Sequence, residues 1–189
     1  MSFEQIVKVP VERVGVVVGK AGSVKSEIEE RCGVKLQIES DVGDVIIRSE
    51  GDVSELNPLK AVEVITAIAR GFSPERAFHL FDEEATIDVI DLREYAGKSE
   101  SSLKRIKGRI IGLEGRSRRV IEEFTGAYLS IYGHTVTVLG TVEQLRLAVE
   151  AIRLLSSGRT HKSVYNMLQR ARARAKLERM KLWEDKAIE

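Results

Sequence analysis

A four-residue turn bounded by glycines occurs twice in this 189-residue chain, as Gly19-Lys20-Ala21-Gly22 and as Gly112-Leu113-Glu114-Gly115, 93 positions later. Glycine at both ends removes side chains that would hold a polymer away from the main chain. A helix that starts just after such a turn offers N–H groups and a partial positive charge to an anion. Cations gather at both places. Lys20 lies inside the first turn and Lys25 one turn into the helix beyond it. Lys107 and Arg109 precede the second turn and Arg116, Arg118 and Arg119 follow it, five basic residues within 13 positions. Val18 and Ile111, just ahead of the turns, are apolar and suit a groove floor against which bases pack. The chemistry this pattern serves is the holding of a phosphodiester chain. Glu114 places a carboxylate where a phosphate would approach, a penalty the neighbouring arginines offset.

Other chemistries find less support. Gly19-Lys20 hints at a nucleotide-binding P-loop, but that motif needs glycine at position 14 and a hydroxyl residue at 21, where the chain has Val14 and Ala21. His79, His134 and His161 have no partner at ligand spacing and Cys32 is the single cysteine, so neither a zinc site nor an internal disulfide is expected. Asp82-Glu83-Glu84 reads as a solvated junction, and Glu122-Glu123 recurs as Glu29-Glu30 at solvent-facing helix positions. The sequence gives no catalytic constellation and calls for no metal and no cofactor.

The turns belong to a longer repeat. Gly15–Ile38 aligns without a gap on Gly108–Ile131, with nine of 24 positions identical. The chain is therefore one module used twice. Hydrophobic periodicity and punctuation predict the first copy as a strand over 3–9 stopped by Pro10, a short helix Val11–Val18, the turn, and a helix Ser23–Arg31 closed by Gly33. Strands over 34–39 and 44–48 follow, then a helix Pro58–Ala69 with proline at its start. The second copy reads the same way: strand 86–92, helix 99–111, helix 116–124, a hairpin 127–132 and 134–139 turning at Gly133-His134, and a helix capped by Thr141 and running to Leu155. The order in each is β-α-α-β-β-α. The expected domains are 1–72 and 84–158, joined by a connector 73–83 and followed by a basic helical tail 159–189. In that tail Leu168, Leu177 and Trp183 are expected to form a narrow apolar stripe among the cations.

Charge is divided unevenly. Residues 1–95 carry 11 basic and 19 acidic side chains, and residues 96–189 carry 19 and 10, so −8 and +9 sum to the net +1. The second half is where a polyanion would bind. No apolar run approaches the roughly 18 residues of a membrane span, and the N-terminus lacks the pattern of a secretory signal. The expectation is a soluble, cytoplasmic protein without a membrane partner.

The module resembles the KH domain of type I, present twice over about 150 of the 189 residues. Each copy has apolar residues before the turn (Val17-Val18; Ile110-Ile111), a helix after it, glycine at that helix's end and an apolar strand beyond. The implied fold is α+β: two tandem KH domains, each a three-stranded sheet packed on three helices, plus a basic C-terminal helix. The resemblance implies that single-stranded RNA or DNA lies beside each turn, clamped over about four nucleotides. The second half, KGRIIGLEGRSRRVIEEFTGAYLSIYGHTVTVLG with HKSVYNML beyond it, is similar to the archaeal Pno/Dim family. That resemblance implies binding to the 3′ region of small-subunit rRNA during ribosome assembly. It also implies two partners, a Nob-type endonuclease and the alpha subunit of translation initiation factor 2. A general KH RNA-binding or RNA-decay adaptor, or a protein scaffold, are the other readings.

Overall fold

The structure is a computed structural model and describes residues 2–50 and 57–186, with side chains at 3–49 and 57–181. In the first module β1 (Ser2–Lys8) leads to α1 (Val11–Val18), the turn, α2 (Ser23–Cys32), β2 (Lys35–Glu39), β3 (Asp44–Glu50) and α3 (Pro58–Ala69). Apolar side chains alternate along the strands, so one face of the antiparallel β1-β3-β2 sheet is buried. Val45, Ile47 and Leu36 on that face meet Val14 and Val17 of α1, Ile28 and Cys32 of α2, and Val64, Ile65 and Ile68 of α3. The register pairs Val7 with Val45 and Leu36 with Ile47.

The second module repeats the plan. Its elements are β4 (Ala85–Asp91), a short α5 (Arg93–Ala96), α6 (Glu100–Ile111), the turn, α7 (Arg116–Thr125), β5 (Tyr128–Tyr132), β6 (Thr135–Thr141) and α8 (Val142–Ser156). The sheet order β4-β6-β5 is the same as in the first copy. Thr141 caps α8 through a reciprocal box with Gln144. Helix α5 was not anticipated: β4 ends at Asp91, whose carboxylate accepts from the Arg93 amide and guanidinium and draws the chain into one helical turn. The same contact holds the Asp91 carboxyl down at about 2.

One feature separates the two sheets. In β6 every residue from Thr135 to Gly140 is buried, on both faces of the strand. Val136 and Val138 point into the second core, whereas Leu139 belongs to the first. The connector supplies the joint: α4 (Pro74–Ala77) and the 3₁₀ turn Phe78–Phe81 place Ala77 and Leu80 in the first core, next to Ala85 and Leu139. Polar contacts surround this seam. Lys60 Nζ donates to the Ala85 carbonyl, Thr86 Oγ1 donates to Glu63 at 2.9 Å and Ser130 Oγ donates to the Arg70 carbonyl at 2.9 Å. The Tyr132 hydroxyl donates to Glu12, and His79 stacks on Tyr128 at 5.0 Å between ring centres.

Helix α9 (His161–Lys186) completes the body. Val164 and Leu168 join the second core, but Leu177 is exposed, nine residues on and about half a turn round the helix from Leu168. The two leucines therefore do not share a stripe, and the Trp183 side chain lies outside the described residues.

Two measurements follow. Thr137 is 0% exposed at the seam and its hydroxyl has no partner among the described residues. Burying an unpaired hydroxyl is unfavourable, so Thr137→Val is expected to stabilise the chain by about 1 kcal/mol in denaturant titration, whereas Leu139→Ala costs about 2–5 kcal/mol. Burial also pushes the Cys32 thiol up to about 11. It should resist alkylation at neutral pH in the folded protein and react once the chain is unfolded.

Candidate nucleic-acid interface

Both glycine-bounded turns adopt one backbone path. Helix α1 ends as the Gly19 amide donates to the Gly15 carbonyl at 2.9 Å, and α6 ends as the Gly112 amide donates to Gly108 at 2.8 Å. The first glycines then reverse the chain at φ 74° and 73°. A Cβ there would stand 2.5 Å from Val24 Cγ2 in the first copy and 2.7 Å from the Ser117 backbone nitrogen in the second. Side chains are thus excluded by contact as well as by torsion. The third residues, Ala21 and Glu114, take left-handed torsions at φ 53° and 52° although neither is glycine. Such a conformation costs roughly 1 kcal/mol or more and persists because the packed helices on either side dictate it.

The turns project outward. Lys20, Ala21, Leu113, Glu114 and Arg116 are exposed, and Leu113 is 86% exposed. Gly22 and Gly115 occupy the N-cap positions of α2 and α7, so neither helix start is closed by a side-chain hydrogen bond. The positive end of each helix dipole is left facing the turn. Val18 and Ile111 are half-buried at the turns' inner edges, and Lys25 and Lys107 are half-buried as well. Lys107, Gly108 and Ile111 line an open hollow along α6 together with Leu103 and Lys104. Leu103 and Lys104 were missed at the sequence level. They stand one helical turn before Lys107 and Gly108, and that spacing is the signal that could have found them.

The arginines divide. Arg119 and Arg116 are exposed beside the second turn. Arg109 points elsewhere: its Nε donates to the Leu155 carbonyl at 3.1 Å and its Nη2 to the Arg159 carbonyl, so it ties α6 to the end of α8. The ring of His161 sits 2.8 Å from the Arg109 carbonyl and brings the start of α9 to the same corner. Arg13 does the corresponding work in the first module, donating to Ile68 at 2.9 Å and Phe72 at 2.6 Å. Arg118 turns along its helix toward Glu122, 3.5 Å away.

The paired glutamates differ from the solvent-facing positions expected of them. Glu29 accepts from the Leu36 amide at 2.7 Å, and Glu122 accepts from the Leu129 amide at 2.8 Å. The first of each repeated Glu-Glu pair therefore pins the following strand to the second helix of the module. Glu122 also meets Arg76 of the connector at 3.3 Å, and Arg76 lies over the Tyr128 ring. No group of metal-ligating side chains occurs among the described residues, and no described helix is long and apolar enough to cross a membrane.

Comparison with known proteins agrees with this geometry. Residues 4–65 match the KH domain family, and residues 86–173 match the second KH domain of PNO1, described as a eukaryotic-type KH domain (KH-domain type I). The chain is 43% identical over 183 residues to KH domain-containing protein MJ0443 of Methanocaldococcus jannaschii, covering 97% of this chain and 80% of that one. It is 25% identical to RNA-binding protein pno-1 of Caenorhabditis briggsae, over 90% of this chain and 63% of that longer protein. Among solved structures, the a/eIF2alpha–aDim2p–rRNA complex from Pyrococcus horikoshii OT3 contains a chain 41% identical to this one. It superposes with a TM-score of 0.84 over 91% of this chain and 95% of its own. With two type I KH modules, intact turns in both and these relatives, the chain belongs to the archaeal Pno/Dim family of tandem-KH RNA-binding proteins of ribosome biogenesis.

Proposed function

We propose that the protein holds a short single-stranded segment from the 3′ region of small-subunit rRNA against its KH grooves during assembly of the small subunit. The observation that carries this reading is the coincidence of the two turn backbones, φ 74°, 53°, 78° against 73°, 52°, 74° at corresponding positions. A torsion set that sterics disfavour, repeated in two copies with different side chains, points to a demand made on the main chain itself. That demand is the close approach of a sugar-phosphate backbone. The contacts of the first groove are Lys20 and Lys25 with Val18 and the turn. Those of the second are Lys107, Arg116 and Arg119, with Ile111 and Leu113 supplying apolar surface.

The grooves are electrostatically unequal. Lys20 gives the first turn a positive charge, whereas Leu113-Glu114 gives the second a carboxylate and leaves the work to the helix start and the flanking cations. The first groove should therefore respond more steeply to salt at its tip. The presence of a/eIF2alpha and rRNA with a relative in one complex supports the same two partners for this chain. A Nob-type endonuclease, to which the held RNA would be presented, completes the proposed set. The protein contributes positioning in this reading and the nuclease contributes the chemistry.

The test is titration of a short RNA matching the 3′ end of small-subunit rRNA, with a scrambled control, at two salt concentrations. Lys20→Asp/Ala21→Asp and Leu113→Asp are each expected to weaken the matched RNA by tenfold or so, since each puts a carboxylate against a phosphate. Equal weak binding of both RNAs, indifferent to the variants, would leave the grooves without a role. A second measurement separates the arginines. Arg119→Ala should lower RNA affinity and the salt slope by about 1 without changing stability. Arg109→Ala should lower stability, because it leaves the Leu155 and Arg159 carbonyls without their donor.

A further inference from the structure

Helix α9 carries cations in an arrangement that its docking does not explain. Between positions 170 and 181 it has Arg170, Arg172, Arg174, Lys176, Arg179 and Lys181 against one acid, Glu178. All six are exposed, and none forms an ion pair with a described carboxylate. The helix is held by its inner seam: Val164 and Leu168 are buried, and Ala171 and Ala175 are half-buried. At about 100° per residue the cations fall into two rows. Arg172, Lys176 and Arg179 lie toward α7, where Arg172 sits over the Phe124 ring at 5.6 Å. Arg170, Arg174 and Lys181 lie toward α8, where Arg170 and Arg174 border a hollow that also contains Glu143 and Glu150.

Between the rows, opposite the docked seam, runs an uncharged outward ridge of Gln169, Ala173, Leu177 and Met180. Leu177 and Met180 are 59% and 52% exposed. A solvated helix face would mix signs and put charge on its outermost line. Here the outermost line is neutral and each shoulder carries a row of cations, the α8 row standing beside Glu143, Glu150 and Glu178. Two cationic rows about a helix diameter apart, with a neutral ridge between, match a groove bordered by two phosphate strands. The wide, shallow minor groove of A-form RNA has that form, with riboses on its floor. Helix α9 starts at the corner where His161 meets Arg109, one turn before Gly112, so its inner end adjoins the second clamp.

We infer that α9 is a second RNA contact, taking the two phosphate rows of a double-helical stem next to the single-stranded segment held by the grooves. The inference rests on the proposed RNA-holding role and extends it from single strands to a stem-and-tail junction.

The experiment compares three RNAs with the full chain: a single-stranded tail, the same tail on a hairpin stem, and the blunt hairpin alone. Two variants remove one row each, Arg170→Gln/Arg174→Gln/Lys181→Gln and Arg172→Gln/Lys176→Gln/Arg179→Gln. Glutamine keeps helix propensity, and far-ultraviolet circular dichroism checks that α9 remains folded. The wild type is expected to bind the tailed hairpin roughly tenfold tighter than the tail, with each variant losing that gain and about 2–3 from the salt slope. Tail binding itself should not change. If the stem adds nothing in the wild type, or its gain survives in both variants, the inference is overturned and the ridge is left to a protein partner. If the tail alone fails to bind, the groove reading falls separately, and the blunt hairpin still decides the role of α9.

Discussion

The burial of β6 on both faces is the constraint on which the rest of this structure depends. A KH sheet ordinarily needs only one covered face to fold, and the β1-β3-β2 sheet has that character, with Ile6 half-exposed on its outer side. The second sheet has its outer side closed by the connector and the first module, through Leu139, Tyr128 and Ala85. A seam made of packed side chains and bordered by part-buried hydrogen bonds has few alternative arrangements. It turns two binding modules that a flexible tether could have joined into one body. The two glycine-bounded turns are then presented at a fixed separation and angle. Any RNA that reaches both must conform to that spacing, which favours a defined segment over a random one.

The charged residues divide between the fold and the solvent. Groups at the seam and at helix ends serve the fold: Arg13 and Arg109 on helix carbonyls, Glu29 and Glu122 on strand amides, Arg76 between the modules. Groups at the turns meet solvent: Lys20, Arg116, Arg119. The two sets cannot be told apart by residue type, only by which side of a helix they occupy. Of the +9 carried by residues 96–189, α9 contributes the largest share, eight basic side chains against three acidic.

Much of the fold was legible in the sequence because it is written twice. The helix Pro58–Ala69 and the helix Val11–Val18 have the boundaries that proline, glycine and apolar spacing predict. Strands β3 and β6 run two residues further than expected, since Ser2 and Ala85 on neighbouring strands extend the pairing to Glu50 and Thr141. Helix α5 escaped because four residues are too few to show a period. The double burial of β6 escaped because Thr135 and Thr137 look like an outward polar row. The turns themselves were legible to the residue. Arg109 was not: sequence proximity to the clamp says nothing about azimuth, and its azimuth faces α8. The role of Glu122 was hidden for the same reason, since its partner amide is seven residues away on another element.

The two arginine braces sit at different places in the repeat. Arg13 aligns with Ile106, and Arg109 with Val16, one helical turn further along. Each reaches the carbonyl end of its own module's last helix, so the two copies meet one mechanical problem from different positions. The modules therefore share a fold without being interchangeable. Transplanting α1 into the place of α6 would carry a guanidinium to a position where no open carbonyls await it, and would strip the ones that do. For anyone building new arrays from these units, the portable part is the glycine turn, and the part that must stay with its owner is the brace behind it.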